Sequence, residues 1–172
     1  MSGQVVVRRA RTPDVRAIRS LVEPMTSSRR IVTKDAVAYY EAVHEFRVIE
    51  VDGLVVGCGA LHVMWEDLAE VRTVAVRPDL KGHGLGSAVL AGLLQDARDL
   101  GVARVFCLTF ETSFFGRHGF QRIDGQAVEP DVYAALLRSY DEGVAEFLDL
   151  DRVKPNTLGN TRMLLRLEDD GR

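Results

Sequence analysis

Long apolar runs are missing from this sequence. No stretch reaches the roughly 20 residues that a membrane-spanning helix needs. The opening MSGQVVVRRARTPD turns basic after an apolar run too short for a signal peptide. Both absences point to the cytoplasm and away from a membrane partner. Charge of one sign is scarce as well. Lys and Arg number 22 against 25 Asp and Glu, a net charge of −3, which gives no reason to expect nucleic acid as a partner. Cysteine is rare: Cys58 and Cys107 each lie in an apolar run, and neither belongs to a CxxC or Cys/His pattern. Both are expected as buried free thiols rather than a disulfide or metal ligands. His44, His62, His83 and His118 have no metal-ligand spacing, so no metal is expected. Repeats, low-complexity tracts and linkers are also absent. Residues 1–172 are therefore expected to form a single domain.

What is present is the composition of a packed protein, with 47% hydrophobic and 27% charged residues. Val5 to Arg9 reads as a strand. Thr12 can cap a helix and Pro13 suits its first position. Val15, Ile18, Leu21 and Val22 follow at helical spacing. Pro24 is expected to end that helix, with a loop from Met25 to Arg30. Asp35 to Val43 predicts a second helix. Phe46 to Val51 and Leu54 to Met64 are strands around a hairpin turn at Asp52-Gly53. Glu70 to Val76 (EVRTVAV) is a strand stopped by Arg77-Pro78. Ser87 to Leu100 is an amphipathic helix closed by Gly101. Arg104 to Phe110 is a strand, Ser113 to His118 a short helix, and Gly119-Phe120 opens another strand. Asp131 to Leu148 reads as one helix and Arg162 to Leu167 as the last strand. Hairpins come first and a strand–helix–strand crossover sits in the middle. That order fits an α/β fold with one mixed sheet and helices on both faces.

The sharpest feature is the run EVRTVAVRPDLKGHGLGSAVLAGLL, residues 70 to 94. A strand enters a loop of Lys81, Gly82, His83, Gly84, Leu85 and Gly86, and a helix follows at Ser87. Successive loop N–H groups and those of a helix's first turn form a nest for phosphate. Glycine lets the backbone approach the ligand without an obstructing Cβ. Lys81 adds positive charge at the rim. The pattern is neither a Walker A loop nor a dinucleotide fingerprint.

With strand, loop and helix in that order, the sequence resembles the GNAT acetyltransferases. Their [RQ]-x-x-G-x-[GA] signature reads Lys81-x-x-Gly84-x-Gly86 here, with Lys in the first place. VRRARTPDVRAIRSLV resembles the family's first strand and helix, and FCLTFETSFFGRHGF its later strand, short helix and GF strand start. The resemblance implies a GNAT fold: a mixed, mostly antiparallel central sheet with strands four and five splayed and helices on both faces. It implies acetyl-CoA as co-substrate, with the pyrophosphate on Lys81 to Ser87 and pantetheine along the backbone of Val74, Ala75 and Val76. Phe114 and Phe115 read first as packing for the short helix, with Phe115 also carried as a CoA-contact candidate.

Glu70-x-x-x-Val74-Ala75-Val76, Cys58-Gly59-Ala60-Leu61 and Phe106-Cys107-Leu108-Thr109 resemble the acetyltransferase domain of N-acetylglutamate synthases. Asn160-Thr161-Arg162 stands where that domain has R-x-S-K. The similarity implies acetylation of the α-amine of glutamate or glutamine at the head of arginine synthesis. Glu70 then matches the general base, acting directly or through water. An amide of the fourth strand near Val76 would hold the oxyanion. The family's Tyr on the short helix is missing, replaced by Phe114 and Phe115, which leaves the proton for the thiolate to water or to the new ammonium. An amino-acid carboxylate calls for Arg or Lys. Lys34, Arg72 and Arg162 are the candidates, Arg29 and Arg30 lie on the same loop as Lys34, and Thr161 joins them from the last strand. Thr73, Leu108 and Thr109 match the positions around the α-amino end.

Two other readings stand beside this one. The chain could acetylate a protein N-terminus, a polyamine or an antibiotic amine, although its basic cluster argues against polycations. Alternatively it could sense acyl-CoA without turnover. The acidic, amphipathic segment Asp131 to Asp149 (Val132, Leu136, Tyr140, Val144, Phe147) reads either as core packing or as a homodimer contact.

Overall fold

The structure is a computed structural model that describes residues 3–27, 35–151 and 159–168. Thirteen strands and helices alternate through them. β1 (Val5–Arg9) leads through a 3₁₀ turn into α1 (Val15–Ser27) and α2 (Ala36–Glu41). Then come β2 (Phe46–Val51), β3 (Leu54–Trp65), β4 (Leu68–Val76) and α3 (Leu85–Asp99). The chain continues with β5 (Arg104–Thr109), α4 (Thr112–Arg117), β6 (Gln121–Arg122), α5 (Pro130–Leu136), α6 (Glu142–Phe147) and β7 (Thr161–Arg166). The strands form a seven-stranded sheet in the order β1-β2-β3-β4-β5-β7-β6. β2 runs antiparallel to β1 and β3, and β7 antiparallel to β5 and β6. The parallel pair is β4 with β5, whose ladder runs from Leu68↔Arg104 to Glu70↔Phe106.

The chain divides into two compact units, residues 1–62 with 71–96, and residues 63–70 with 97–172. In the first unit, period-two alternation gives each strand an apolar face on either side. α1 and α2 cover one face, packing Val15, Ile18, Val22 and Tyr39 on Phe46, Val48, Cys58, Ala60 and Ala75. Leu85 and Val89 of α3 cover the other, against Ile49 and Val56. The hairpin turns on Asp52 (φ 49°) and Gly53 (φ 81°), both left-handed, as a two-residue turn between twisted strands requires. In the second unit, α5 and α6 bring Leu136, Val144 and Phe147 onto Leu68, Phe106 and Leu164. α3 ends in a Schellman arrangement, with Gly101 at φ 79° and Val102 N–H donating to Ala97 O at 2.9 Å.

Several boundaries differ from expectation. α1 does not stop at Pro24 but carries it inside and continues to Ser27, replacing the start of the expected loop. Proline forfeits one N–H bond, and a helix held by Val15, Ile18 and Val22 in the core tolerates that loss near its end. Thr12 is not the cap. The 3₁₀ turn Thr12–Asp14 begins after Arg11, whose N–H donates to Asp14 Oδ2 at 2.7 Å. The second helix is shorter than expected, and Val43–Glu45 form a 3₁₀ turn instead. The expected long helix from Asp131 to Leu148 is two helices. Asp141 breaks it, because its side chain caps α6 by accepting the Val144 N–H at 3.0 Å. Tyr140 falls at that break and is 98% exposed, so it does not belong to the apolar face.

Two clusters of ion pairs anchor the first unit. Asp96 of α3 is buried and accepts from Arg47 at 2.6 and 2.8 Å and from Arg9 at 2.9 Å. Removing one partner of a buried pair leaves an uncompensated charge. Asp96→Ala is therefore expected to destabilise the protein by about 3 kcal/mol, measured by urea unfolding. At the other site, the Arg8 guanidinium grips Asp14 at 2.7 and 3.0 Å and holds its carboxyl below the ordinary 3.8. A depressed folded value means that the stabilisation is complete above pH 3.8 and fades as pH falls through the lower folded value. Asp14→Asn should flatten the acid limb of the stability curve and leave its slope near neutrality unchanged.

Candidate active site

The first unit carries the glycine loop. β4 ends at Val76, and the Arg77 N–H donates to Val56 O at 2.8 Å, which holds the strand's exit against β3. A 3₁₀ turn over Pro78–Leu80 then delivers Lys81, and Arg77 pairs with Asp79 at 2.7 Å. Gly82 (φ 83°) and Gly84 (φ 78°) are both left-handed, and nothing lies within 4 Å of where a Cβ on either would stand. The Gly84 carbonyl accepts the Ala88 N–H at 3.0 Å, so α3 opens at Leu85. Leu85, Gly86 and Ser87 are thus its first turn rather than part of a longer loop. Lys81 is exposed. His83 turns its Nδ1 toward Leu80 O (3.2 Å) and Lys81 O (3.1 Å). Both partners are carbonyls that only accept, so Nδ1 bears a proton. Open space over two glycines, a helix N-terminus and a lysine suit a pyrophosphate.

β4 itself holds an outlier. Thr73 has φ 59°, which is rare for a β-branched residue and costs about 1–2 kcal/mol. Beyond it Val74 and Val76 pack in the α3-side cluster and Ala75 in the α1-side cluster. Nothing in the sequence signals this, because Thr is a favoured strand residue.

The second unit holds the carboxylate. Glu70 is 3% exposed, in register with Phe106 and on the same side of its strand as Leu68. Burial and, after it, the Glu70 charge push the Cys107 thiol up. Cys58 and Cys107 are both buried free thiols, as expected. Arg162 lies across the rings of Phe106 (5.1 Å) and Phe147 (5.6 Å). Its terminal nitrogens donate to the Glu146 and Phe147 carbonyls at the end of α6. Burial pulls its pKa down, opposed by Asp149 and Glu70. Its Nε and the Oδ1 of Asn160 are buried without a hydrogen-bond partner among the described residues. Sequence reasoning passed over Asn160. Thr161 and Arg162 pair in register with Thr109 and Leu108, so these four stand together on adjacent strands. Thr109 Oγ1 accepts the Glu111 N–H at 2.8 Å, and Leu108 packs on the α5–α6 core. Phe115 is buried edge-on between Phe114 and Phe120, at 5.1 and 5.2 Å. Lys34, like Arg29 and Arg30, lies outside the described residues. Among the described residues no group of three or more His, Cys, Asp or Glu side chains could hold a metal ion, and no helix is long and apolar enough to cross a membrane.

The acetyltransferase (GNAT) family profile matches residues 15–120. This chain belongs to the GNAT family. As a GNAT acetyltransferase it takes acetyl-CoA as its acyl donor, and the open glycine loop on α3 fits that ligand's phosphates. An amino-acid acetyltransferase of Mycobacterium tuberculosis is 59% identical over 165 residues, 94% of each chain. One from Vibrio cholerae is 29% identical over 130 residues, and the match spans 29% of its length. The crystal structure of Rv2747 from Mycobacterium tuberculosis, in complex with CoA and NLQ, superposes with a TM-score of 0.92 at 58% identity, covering 95% of this chain and 99% of that one. The N-acetylglutamate synthase of Neisseria gonorrhoeae, complexed with coenzyme A and N-acetyl-glutamate, has a TM-score of 0.77 at 23% identity. It covers 98% of this chain and 36% of that one, and shares the fold.

Gly84→Glu adds both a left-handed side chain and a negative charge to the loop expected to take the phosphates. CoA affinity measured by titration calorimetry should fall at least about tenfold, while Gly116→Ala, with open space around it and no positive φ, should bind CoA normally.

Proposed function

We propose that this acetyltransferase moves the acetyl group of acetyl-CoA onto the α-amine of L-glutamate or L-glutamine, as the first step of arginine synthesis in the cytoplasm, with residues 1–172 as one catalytic domain. The observation that carries the reading is the buried carboxylate of Glu70, 3% exposed, on the strand that leads into the glycine loop. The 59% identity to a protein named amino-acid acetyltransferase supports the acceptor class.

Acetyl-CoA supplies a thioester whose carbonyl carbon accepts the amine nitrogen as the C–S bond breaks. An α-amine is mostly protonated near neutral pH, so a base must act first. Glu70 takes that proton, directly or through a water. A β4 amide near Val76 donates to the developing oxyanion, with no reorganisation because the strand is already packed. The departing thiolate takes a proton from water or from the new ammonium, since Phe114 and Phe115 have none to give. For the acceptor's carboxylate the supporting groups are Arg72 and the Nε of Arg162. The terminal nitrogens of Arg162 are already bonded to α6 carbonyls. Thr73, Leu108, Thr109 and Thr161 offer backbone and hydroxyl groups for the amino end, and Lys34 is a further basic candidate.

The test is CoA release, followed by thiol titration, with acetyl-CoA and a panel of twenty amino acids, polyamines and an aminoglycoside. The protein's own thiols are buried and should add no background. Turnover confined to glutamate or glutamine is expected; turnover only with a cationic amine overturns the acceptor assignment, and binding without turnover overturns catalysis. Glu70→Gln should lower turnover by about 10²-fold near neutral pH, and by less at high pH, where the amine loses its proton unaided. Equal turnover at neutral pH would remove Glu70 from the role of base.

A further inference from the structure

Thr73 is the only β-branched residue with a left-handed backbone among the described residues; the other non-glycine cases are Asp52 and Asp149, both of a type that tolerates it. A residue held there must be held by something. The structure shows what lies against it. Cys58 of β3 is fully buried in the α1-side cluster, and its Sγ donates to the Thr73 carbonyl at 3.7 Å. The same sulfur receives the Ala75 N–H. One thiol therefore bridges the carbonyl of the irregular residue and the amide two residues on.

The direction of that bridge matters. Side chains stand off the plane of a sheet, whereas ladder carbonyls lie within it. The Thr73 carbonyl follows a left-handed φ, which departs from the extended backbone of a regular ladder, and the α1-side thiol of Cys58 lies against it. The peptide is trans, so its C=O and N–H point in opposite directions. With Thr73 O drawn toward Cys58, the Val74 N–H is aimed away from it.

We propose that Cys58 is a positioning residue for acyl-CoA binding: its thiol clasps the left-handed Thr73–Val74 peptide and so sets the direction of the β4 amides that the donor meets. The proposal rests on the reading of β4 as the strand that binds the donor. The thiol is neither a nucleophile nor a ligand; burial pushes its pKa up to about 12, so it keeps the proton it donates. Without the clasp, Thr73 relaxes toward the extended region in part of the population, and only the remaining fraction binds CoA tightly.

The experiment measures CoA affinity by calorimetry, and KM separately for acetyl-CoA and for the amino acid, in Cys58→Ala, Cys58→Ser, Thr73→Gly and the Cys58→Ala/Thr73→Gly double variant. Cys58→Ala should raise KM for acetyl-CoA about five- to thirtyfold, the range set by the cost of a left-handed non-glycine residue, with a matching loss of CoA affinity. Cys58→Ser keeps a donor and an acceptor and should recover most of the loss. Glycine adopts this conformation freely, so Cys58→Ala should cost far less in the Thr73→Gly background. The proposal is overturned if folded Cys58→Ala binds CoA like the parent, or if its penalty is the same beside Gly as beside Thr. Should Cys58→Ala fail to fold, Cys58→Ser against the double variant carries the same comparison: both near parental affinity supports the clasp, and a double variant that folds but binds weakly refutes it. A parent protein that binds no CoA would instead sink the donor reading, and the clasp with it.

Discussion

A strand whose side chains are packed on both faces can bind a ligand only with its backbone. β4 is such a strand from Val74 onward, with Ala75 committed to the α1 cluster and Val74 and Val76 to the α3 cluster. Its amides and carbonyls are normally consumed by neighbouring strands, so binding requires that some be turned out of the ladder. Thr73 is the residue of β4 that leaves the extended backbone, and the clasp proposed for Cys58 assigns that turning to it. The same logic continues past the strand. Gly82 and Gly84 are left-handed without strain, and α3 opens directly behind them. In the proposed reading, donor recognition is thus a matter of backbone direction, with Lys81 adding charge at the edge.

The second unit handles charge differently. Glu70 is buried, and a buried charge needs compensation. Arg162 supplies positive charge from β7, which lies beyond β5 in the sheet, but most of its guanidinium is used elsewhere. Two nitrogens cap the carbonyl end of α6 and the plane rests on Phe106 and Phe147. A helix C-terminus and a carboxylate both favour a cation. Arg162 therefore ties the placement of α6 to the electrostatics around Glu70, and it keeps one buried nitrogen in reserve.

Much of the fold was legible because local signals agreed with the tertiary outcome. Val5–Arg9 and Phe46–Val51 match their strands to the residue, and Asp52-Gly53 is the turn its chemistry implies. Signals failed where two local rules competed. Pro24 reads as a stop, yet core contacts on the same helix outweigh one lost hydrogen bond. The periodicity of 131–148 reads as one helix, yet Asp141 prefers to cap. Periodicity cannot see a competing side-chain acceptor.

By itself the sequence determined the order of elements apart from the break at Asp141, the glycine loop before α3, the carboxylate on β4, the burial of both cysteines and the membership of the GNAT family. Each depends on residue type and near-neighbour spacing, which the chain states directly. Only the tertiary structure decided that Thr73 is left-handed, that Cys58 bridges the peptides around it, that Asp96 gathers Arg9 and Arg47, and that Arg162 turns to α6. Those arrangements join residues far apart in sequence or oppose a residue's own preference, and the energy that selects them comes from packing that exists only once the chain has folded.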